Sequence, residues 1–190
     1  MQKSVKIHEL TVKYEVIPRN VKYWRLEIKD ENLVLIAPNS GLNHEKIIDK
    51  HKNWIYKKFT AINASKKEAN LKELNFSRSE DEFNDLIQKY VREFSFELNV
   101  SVNRVYLRKM KSRWGSCSSR KNISINKYLI YLPENLIEYL VFHEIAHIVE
   151  LNHSKKFWSI ISAKFPNYTE IEKELSIYWF AIKEKIIKTS

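Results

Sequence analysis

The chain has 190 residues, with 33 Lys and Arg against 23 Asp and Glu (net charge +10), 44% hydrophobic residues and 13% aromatic ones. That length and apolar content exclude a disordered chain and suit one domain, at most with a small appended lobe. A single Cys excludes an internal disulfide framework, the residues after Met1 form no apolar leader, and no apolar run approaches the ~20 residues that span a bilayer, so a soluble, cytoplasmic protein without membrane contact is expected.

The first forty residues read as antiparallel strands. Val12, Tyr14 and Val16 alternate with polar neighbours, Pro18-Arg19-Asn20 supplies a turn, and Trp24, Leu26 and Ile28 alternate again. Lys29-Asp30-Glu31-Asn32 then turns the chain into the apolar run Leu33–Ala37, which Pro38-Asn39-Ser40-Gly41 ends. From about Asn43 one helix is expected, with Ile47, Ile48, Trp54, Ile55, Phe59 and Ile62 as its apolar stripe. Residues 63 to 77 are polar and lysine-rich and suit a junction. The expected division is therefore 1–78, a β-rich segment plus helix, and 79–190, either separate or within one compact body.

A second helix starts near Ser79, where acids fill the first turn, and carries Phe83, Leu86, Ile87, Tyr90, Val91, Phe94 and Leu98. Arg104–Met110 reads as a strand, Trp114–Ser119 as a turn or irregular strand, and Asn122–Leu132 as another strand. Pro133 suits a helix start, and Leu136, Ile137, Leu140 and Val141 lead into the most informative run of the sequence. Asn152 is expected to end that helix in a left-handed cap, Ser154 to cap the next, Pro166 to stop it, and a last helix to cover Thr169 to Ile187.

The informative run is His143-Glu144-Ile145-Ala146-His147, followed six residues later by His153. Positions i and i+4 of a helix lie about 40° apart around its axis, so His143 and His147 share a face. Glu144 stands beside that face, close enough to reach a water on a shared metal. With His153, three imidazoles leave a tetrahedral zinc one open position, the mark of a catalytic rather than a structural site. Glu170, Glu172 and Glu174 downstream are the competing third ligands; His153 is preferred because the three-histidine spacing already suffices. That spacing also matches the metzincin metalloproteases, but Glu150 stands at their glycine position and Met1 and Met110 both precede the motif, which disfavours a Met-turn enzyme.

Two further segments invite roles. Trp114, Gly115, Ser116, Cys117 and Ser118 lie upstream of the active-site helix and are candidates to border the cleft and pair with an extended peptide; equally, Trp114 could be core and Gly115 could only permit a bulge. Cys117 reads as a small buried residue rather than a ligand. The stretch 104–121 concentrates Arg104, Arg108, Lys109, Lys111, Arg113, Arg120 and Lys121, a candidate site for a nucleic acid or other anionic partner, although the Lys-, Ile- and Asn-rich composition accounts for much of the charge elsewhere.

The segments Arg113–Cys117, Ile125-Asn126 to Pro133, Tyr139–His147 and Asn152–Trp158 together resemble the YgjP-like metal-dependent hydrolases, minimal zincins related to SprT-type proteins. The resemblance implies zinc held by His143, His147 and His153, with Glu144 as general base. It implies an α+β fold: a minimal zincin core in which the active-site helix packs on a small, mostly antiparallel sheet, with a β-rich N-terminal segment and C-terminal helices. The leading expectation is a zinc-dependent peptidase acting on peptide or protein substrates. The alternatives are a zinc-dependent phosphoanhydride (nucleotide) hydrolase using the basic stretch as an anion clamp, and a non-enzymatic nucleic-acid- or protein-binding module with a structural zinc site.

Overall fold

The computed structural model describes residues 2–29, 31–38 and 43–187. Its contacts divide the chain into two compact units, Met1–Lys67 and Glu68–Ser190. No described helix is long and apolar enough to cross a membrane.

The first unit is a four-stranded sheet of β1 (Gln2–Ile7), β2 (Leu10–Pro18), β3 (Arg25–Lys29) and β4 (Asn32–Ala37), in the order β1-β2-β4-β3. The strands expected here are present, but not all are antiparallel: β2 and β4 run parallel, with Tyr14 opposite Leu33 and Ile17 opposite Ile36. The reason lies in β4, whose Leu33–Ala37 are all buried and therefore need cover on both faces and both edges. It takes the interior position and leaves β3, with Arg25, Glu27 and Lys29, at the edge. Ile48 and Ile55, from α1 (His44–Lys50) and α2 (Lys52–Ala69), join Ile7, Val12, Tyr14 and Leu33 in the core. The single helix expected from Asn43 is thus two, parted at His51, whose ring Nδ1 lies 2.9 Å from the Ile47 carbonyl. The polar stretch read as a junction begins as helix, since α2 continues to Ala69. The turn at Asp30 and the strand end at Asn39–Gly41 lie outside the described residues.

The second unit begins with α3 (Glu80–Glu97), capped by Ser79 as expected: its hydroxyl accepts from the Glu82 N–H while Glu82 accepts from the Ser79 N–H. A three-stranded sheet follows, β5 (Arg104–Arg108), β6 (Gly115–Cys117) and β7 (Asn122–Asn126), ordered β5-β7-β6. It is evenly mixed rather than mostly antiparallel, because β5 pairs parallel with β7 and β6 antiparallel. Through residues 109–114 the chain crosses β7, so the strands it joins flank β7 on opposite sides. The strand expected to run to Leu132 stops at Asn126, whose side chain accepts the Tyr128 N–H and starts a 3-10 turn, Lys127–Tyr131.

Helix α4 (Glu134–Val149) is the spine of this unit. Ten of its sixteen residues are buried, so it is enclosed on most of its circumference. α3 lies against it through Phe94, edge-on to Phe142 at 5.3 Å, and Ile123 and Ile125 of β7 are fully buried. α5 (Lys155–Lys164) contributes Phe157 and Ile161, and α6 (Tyr168–Ile182) contributes Ile171, Leu175 and Tyr178. The last helix expected to Ile187 changes to a π-helical turn over Lys183–Ile187.

Candidate metal centre and its cleft

A helix this apolar should bury no polar group without a purpose, yet Glu144 and His147 are both buried in α4. One turn apart, His143 and His147 face the same way, with ring centroids 5.0 Å apart. The chain leaves the helix at Glu150, in an extended conformation (φ −144°, ψ 106°). This corrects the cap expected at Asn152, which is not among the residues with positive φ. An extended exit needs no glycine, which explains how Glu150 can stand there. Ser154 then caps α5, accepting from the Phe157 N–H at 3.3 Å, and fixes the short return that carries His153.

The return brings His153 Nε2 to 3.1 Å from His143 Nε2, and one ligating atom from each of the three histidines lies within 4.8 Å of the others. Two nitrogens bound to one tetrahedral zinc at ~2.0–2.1 Å would lie about 3.3 Å apart, close to the His143–His153 spacing. Behind the two helical rings stand oxygen acceptors, of which only the one behind His147 is within hydrogen-bond range. His147 Nδ1 is 3.2 Å from the Glu150 carbonyl, leaving Nε2 free to ligate. His143 Nδ1 faces Glu172 Oε1 at 3.7 Å, and the same oxygen accepts the Tyr139 hydroxyl at 2.6 Å. Carboxylates and carbonyls in this position hold metal-binding imidazoles in the right tautomer. Burial, with the neighbouring imidazoles, drives the His143 pKa down to about 3, and burial lowers that of His147, so both are neutral donors near pH 7. Phe157 stacks on His147 at 4.4 Å and Trp158 on His153 at 5.5 Å, which restrains both rings. On this chemistry the donor set fits a zinc ion.

Glu144 is 4% exposed, and its Oε2 is buried without a hydrogen-bond partner. Burial pushes its pKa up to about 8; the Arg113 guanidinium opposes that rise and Glu172 adds to it. Against its side chain lies Gly115: a Cβ there would sit 2.6 Å from both Cγ and Cδ of Glu144. Arg113, Trp114, Gly115, Ser116 and Cys117 line one cleft of about 410 Å³ together with Glu144, the three histidines and Glu172. Trp114 also packs edge-on against Trp179 at 4.8 Å, so it is both cleft wall and packing residue. Ser118 does not line the cleft; its backbone N–H donates to the Asn122 carbonyl in the turn beyond. Of the three downstream glutamates, Glu174 pairs with Lys72 at 2.6 Å, Glu170 accepts from Thr169, and Glu172 stands behind His143.

Asn126 had no role in the sequence reading. Fully buried, it donates from Nδ2 to the Met110 and Arg113 carbonyls at 2.9 and 2.8 Å, and accepts the Met110 N–H at Oδ1. It thereby fastens the loop that ends in Gly115 onto β7. Asn126 falls in the polar phase of the Ile123–Ile125 alternation and is followed by Lys127, so nothing in the pattern marks it as buried. Tyr139 gave no signal, because a residue within a helix stripe is an ordinary feature; Glu172, one of the three downstream acids singled out, stands behind His143.

Residues 63–178 match the family model described as YgjP-like, metallopeptidase domain. Among solved structures, the metallopeptidase zymogen abylysin of Pyrococcus abyssi is similar at 23% identity and a TM-score of 0.43, over 47% of this chain and 90% of that one. The metallopeptidase zymogen jannalysin of Methanocaldococcus jannaschii is similar at 32% identity and a TM-score of 0.41, over 48% of this chain and 92% of that one. No curated protein matches the chain.

Proposed function

Since this chain belongs to the YgjP-like metallopeptidase-domain family, we propose that it is a zinc-dependent peptidase with His143, His147 and His153 as metal ligands and Glu144 as general base. The observation that carries the reading is the pairing of three converging imidazoles with a buried, hydrogen-bond-free carboxylate oxygen in the same cleft. A structural site has no need of such a carboxylate, and keeping one unpartnered in a helix core costs stability.

Zinc bound there would supply Lewis acidity toward a water and a scissile carbonyl. Glu144 takes the proton of the attacking water at its carboxylate and passes it to the leaving amine nitrogen. A raised carboxyl pKa suits both halves of that transfer, because a base that also returns the proton works best near the operating pH. Gly115 leaves the room in which the carboxylate moves. The Glu150 carbonyl keeps the His147 imidazole oriented, and Glu172 faces His143 Nδ1 from 3.7 Å. Among the described residues β6 is an edge strand, paired with β7 alone, so Gly115–Cys117 offer a backbone edge to an extended peptide.

Metal analysis of the purified protein, coupled to hydrolysis of casein, a peptide library and nucleotides by wild type and Glu144→Gln, tests this. The reading requires about one zinc per chain and peptide cleavage that the substitution abolishes. Nucleotide turnover without peptide cleavage would replace it with a phosphoanhydride hydrolase, and stoichiometric zinc with no turnover would leave a binding module.

A further inference from the structure

Charge in this chain is unevenly placed. Between Glu97 and Glu134 there is no carboxylate side chain and there are eight Lys or Arg, which account for eight of the ten net charges. Four of the chain's eight arginines fall in this stretch: Arg104, Arg108, Arg113 and Arg120. A lysine-rich composition does not explain a concentration of arginine. Arginine is the cation whose planar fork matches a carboxylate with two hydrogen bonds.

The acid-free stretch builds all of β5, β6 and β7 and the loop between β5 and β6. Among the described residues only one of its cations, Lys127, pairs with an acid, Glu80 at 3.3 Å. Arg113 differs from the rest in position, because it alone of these cations lines the metal cleft. Its backbone is held in place by the bond from Asn126 Nδ2 to its carbonyl. The cleft's two carboxylates do not form an ion pair with it: Glu144 is buried, and Glu172 accepts from Tyr139. Arg113 is therefore an exposed guanidinium on a fixed backbone, two residues before the glycine that touches the general base.

We propose that the cleft selects peptides with an acidic residue beside the scissile bond, and that Arg113 is the specificity-determining residue that receives that carboxylate. This rests on the peptidase reading above. The placement favours an acidic peptide over a nucleic acid. A polyanion would engage the exposed row along the sheet, whereas a cation in the cleft wall engages only what enters the cleft. Lys109 and Lys111, exposed on the same loop, add a longer-range field that draws acidic chains toward the site.

The test uses full-length protein and labelled decapeptides that differ at one central position: Glu, Gln or Lys. In the non-cleaving Glu144→Gln background, the Glu peptide should bind about ten- to a hundredfold tighter than the Gln peptide, the range of a hydrogen-bonded charge. Adding Arg113→Ala should erase that ratio, Arg113→Lys should keep part of it, and Arg113→Glu should turn the preference to Lys, while Lys111→Ala should leave it standing. An intact ratio in Arg113→Ala overturns the proposal, as does an equal loss in Lys111→Ala. A fall in kcat shared by Glu and Gln peptides, with their KM ratio unchanged, also overturns it, by making Arg113 a catalytic group instead. Wild-type turnover separates the two readings: no peptide cleavage at all overturns the peptidase assignment, whereas cleavage without acid preference overturns only the role of Arg113.

Discussion

Gly115 and Glu144 are in contact in a way that no other residue at position 115 would allow, since a Cβ there would lie 2.6 Å from the Cδ of the carboxylate. The glycine answers a close approach, not a bulge, and it links the β6 edge to the proposed base. Gly115→Ala should displace the Glu144 side chain while leaving the histidines where they are. Misplacing a reacting group by about 1 Å costs on the order of a hundredfold in rate. Peptide turnover should fall by about that factor at unchanged zinc content; full activity in the alanine variant would show that Glu144 can yield without cost.

Glu144 should also reveal its role through stability. Its Oε2 is buried and without a partner, and the carboxyl occupies a helix core. With its pKa raised to about 8, the buried acid must hold at pH 7 a proton that the unfolded chain gives up; Glu144→Gln removes that cost and keeps the shape, so the metal-free protein should gain about 1–3 kcal/mol at pH 7. For a chain of this size that is a rise in Tm of roughly 2–12 °C by calorimetry. A stabilised, inactive variant is the signature of a group kept for function; a destabilised one would mean that the carboxylate supports the fold.

His153 and Glu172 are distinguished by the order of their effects on metal affinity. His153 Nε2 lies 3.1 Å from His143 Nε2, on the ligand side, whereas Glu172 lies 3.7 Å from Nδ1, behind the ring. Losing a group that orients a ligand costs about 10–100-fold in affinity. Glu172→Gln should fall in that range and His153→Ala should exceed it, both read by competition with a zinc indicator. The reverse order would make Glu172 the third ligand.

Asn126 should matter more than any exposed residue of the cleft wall. Asn126→Ala leaves the Met110 and Arg113 carbonyls without their side-chain donor and removes the start of the 3-10 turn. Four lost side-chain bonds predict about 2–6 kcal/mol of destabilisation, read by urea unfolding. Because the same bonds hold the Arg113 backbone, KM for peptides should rise in the variant even where it remains folded.

Cys117 should be slow toward alkylating agents despite lining the cleft. Burial, reinforced by the nearby Glu144 charge, pushes its pKa up to about 11. A raised thiol pKa keeps the unreactive protonated form through neutral pH, so in metal-free protein the iodoacetamide rate should keep climbing with pH beyond 9 without a plateau. A plateau near pH 8, followed by mass spectrometry, would contradict this.

Much of the second unit was legible along the chain. Ser79 and Ser154 announced their helices through local hydrogen bonds, and the pair His143 and His147 follows from helical spacing alone. Strand partners were less legible, because alternation fixes which face is buried but not which neighbour lies alongside. The parallel pairing of β2 with β4, and the mixed sheet around β7, depend on which strand most needs cover.

By itself, the sequence determined the helix that bears the motif, the two imidazoles on one of its faces and the acid between them, since each follows from backbone periodicity within a few residues. Only the tertiary structure decided the rest. It placed Glu172 behind His143, Gly115 against Glu144 and Asn126 beneath the loop that presents Arg113. Those contacts join residues 13 to 29 positions apart, and packing across elements sets them, which no local spacing encodes.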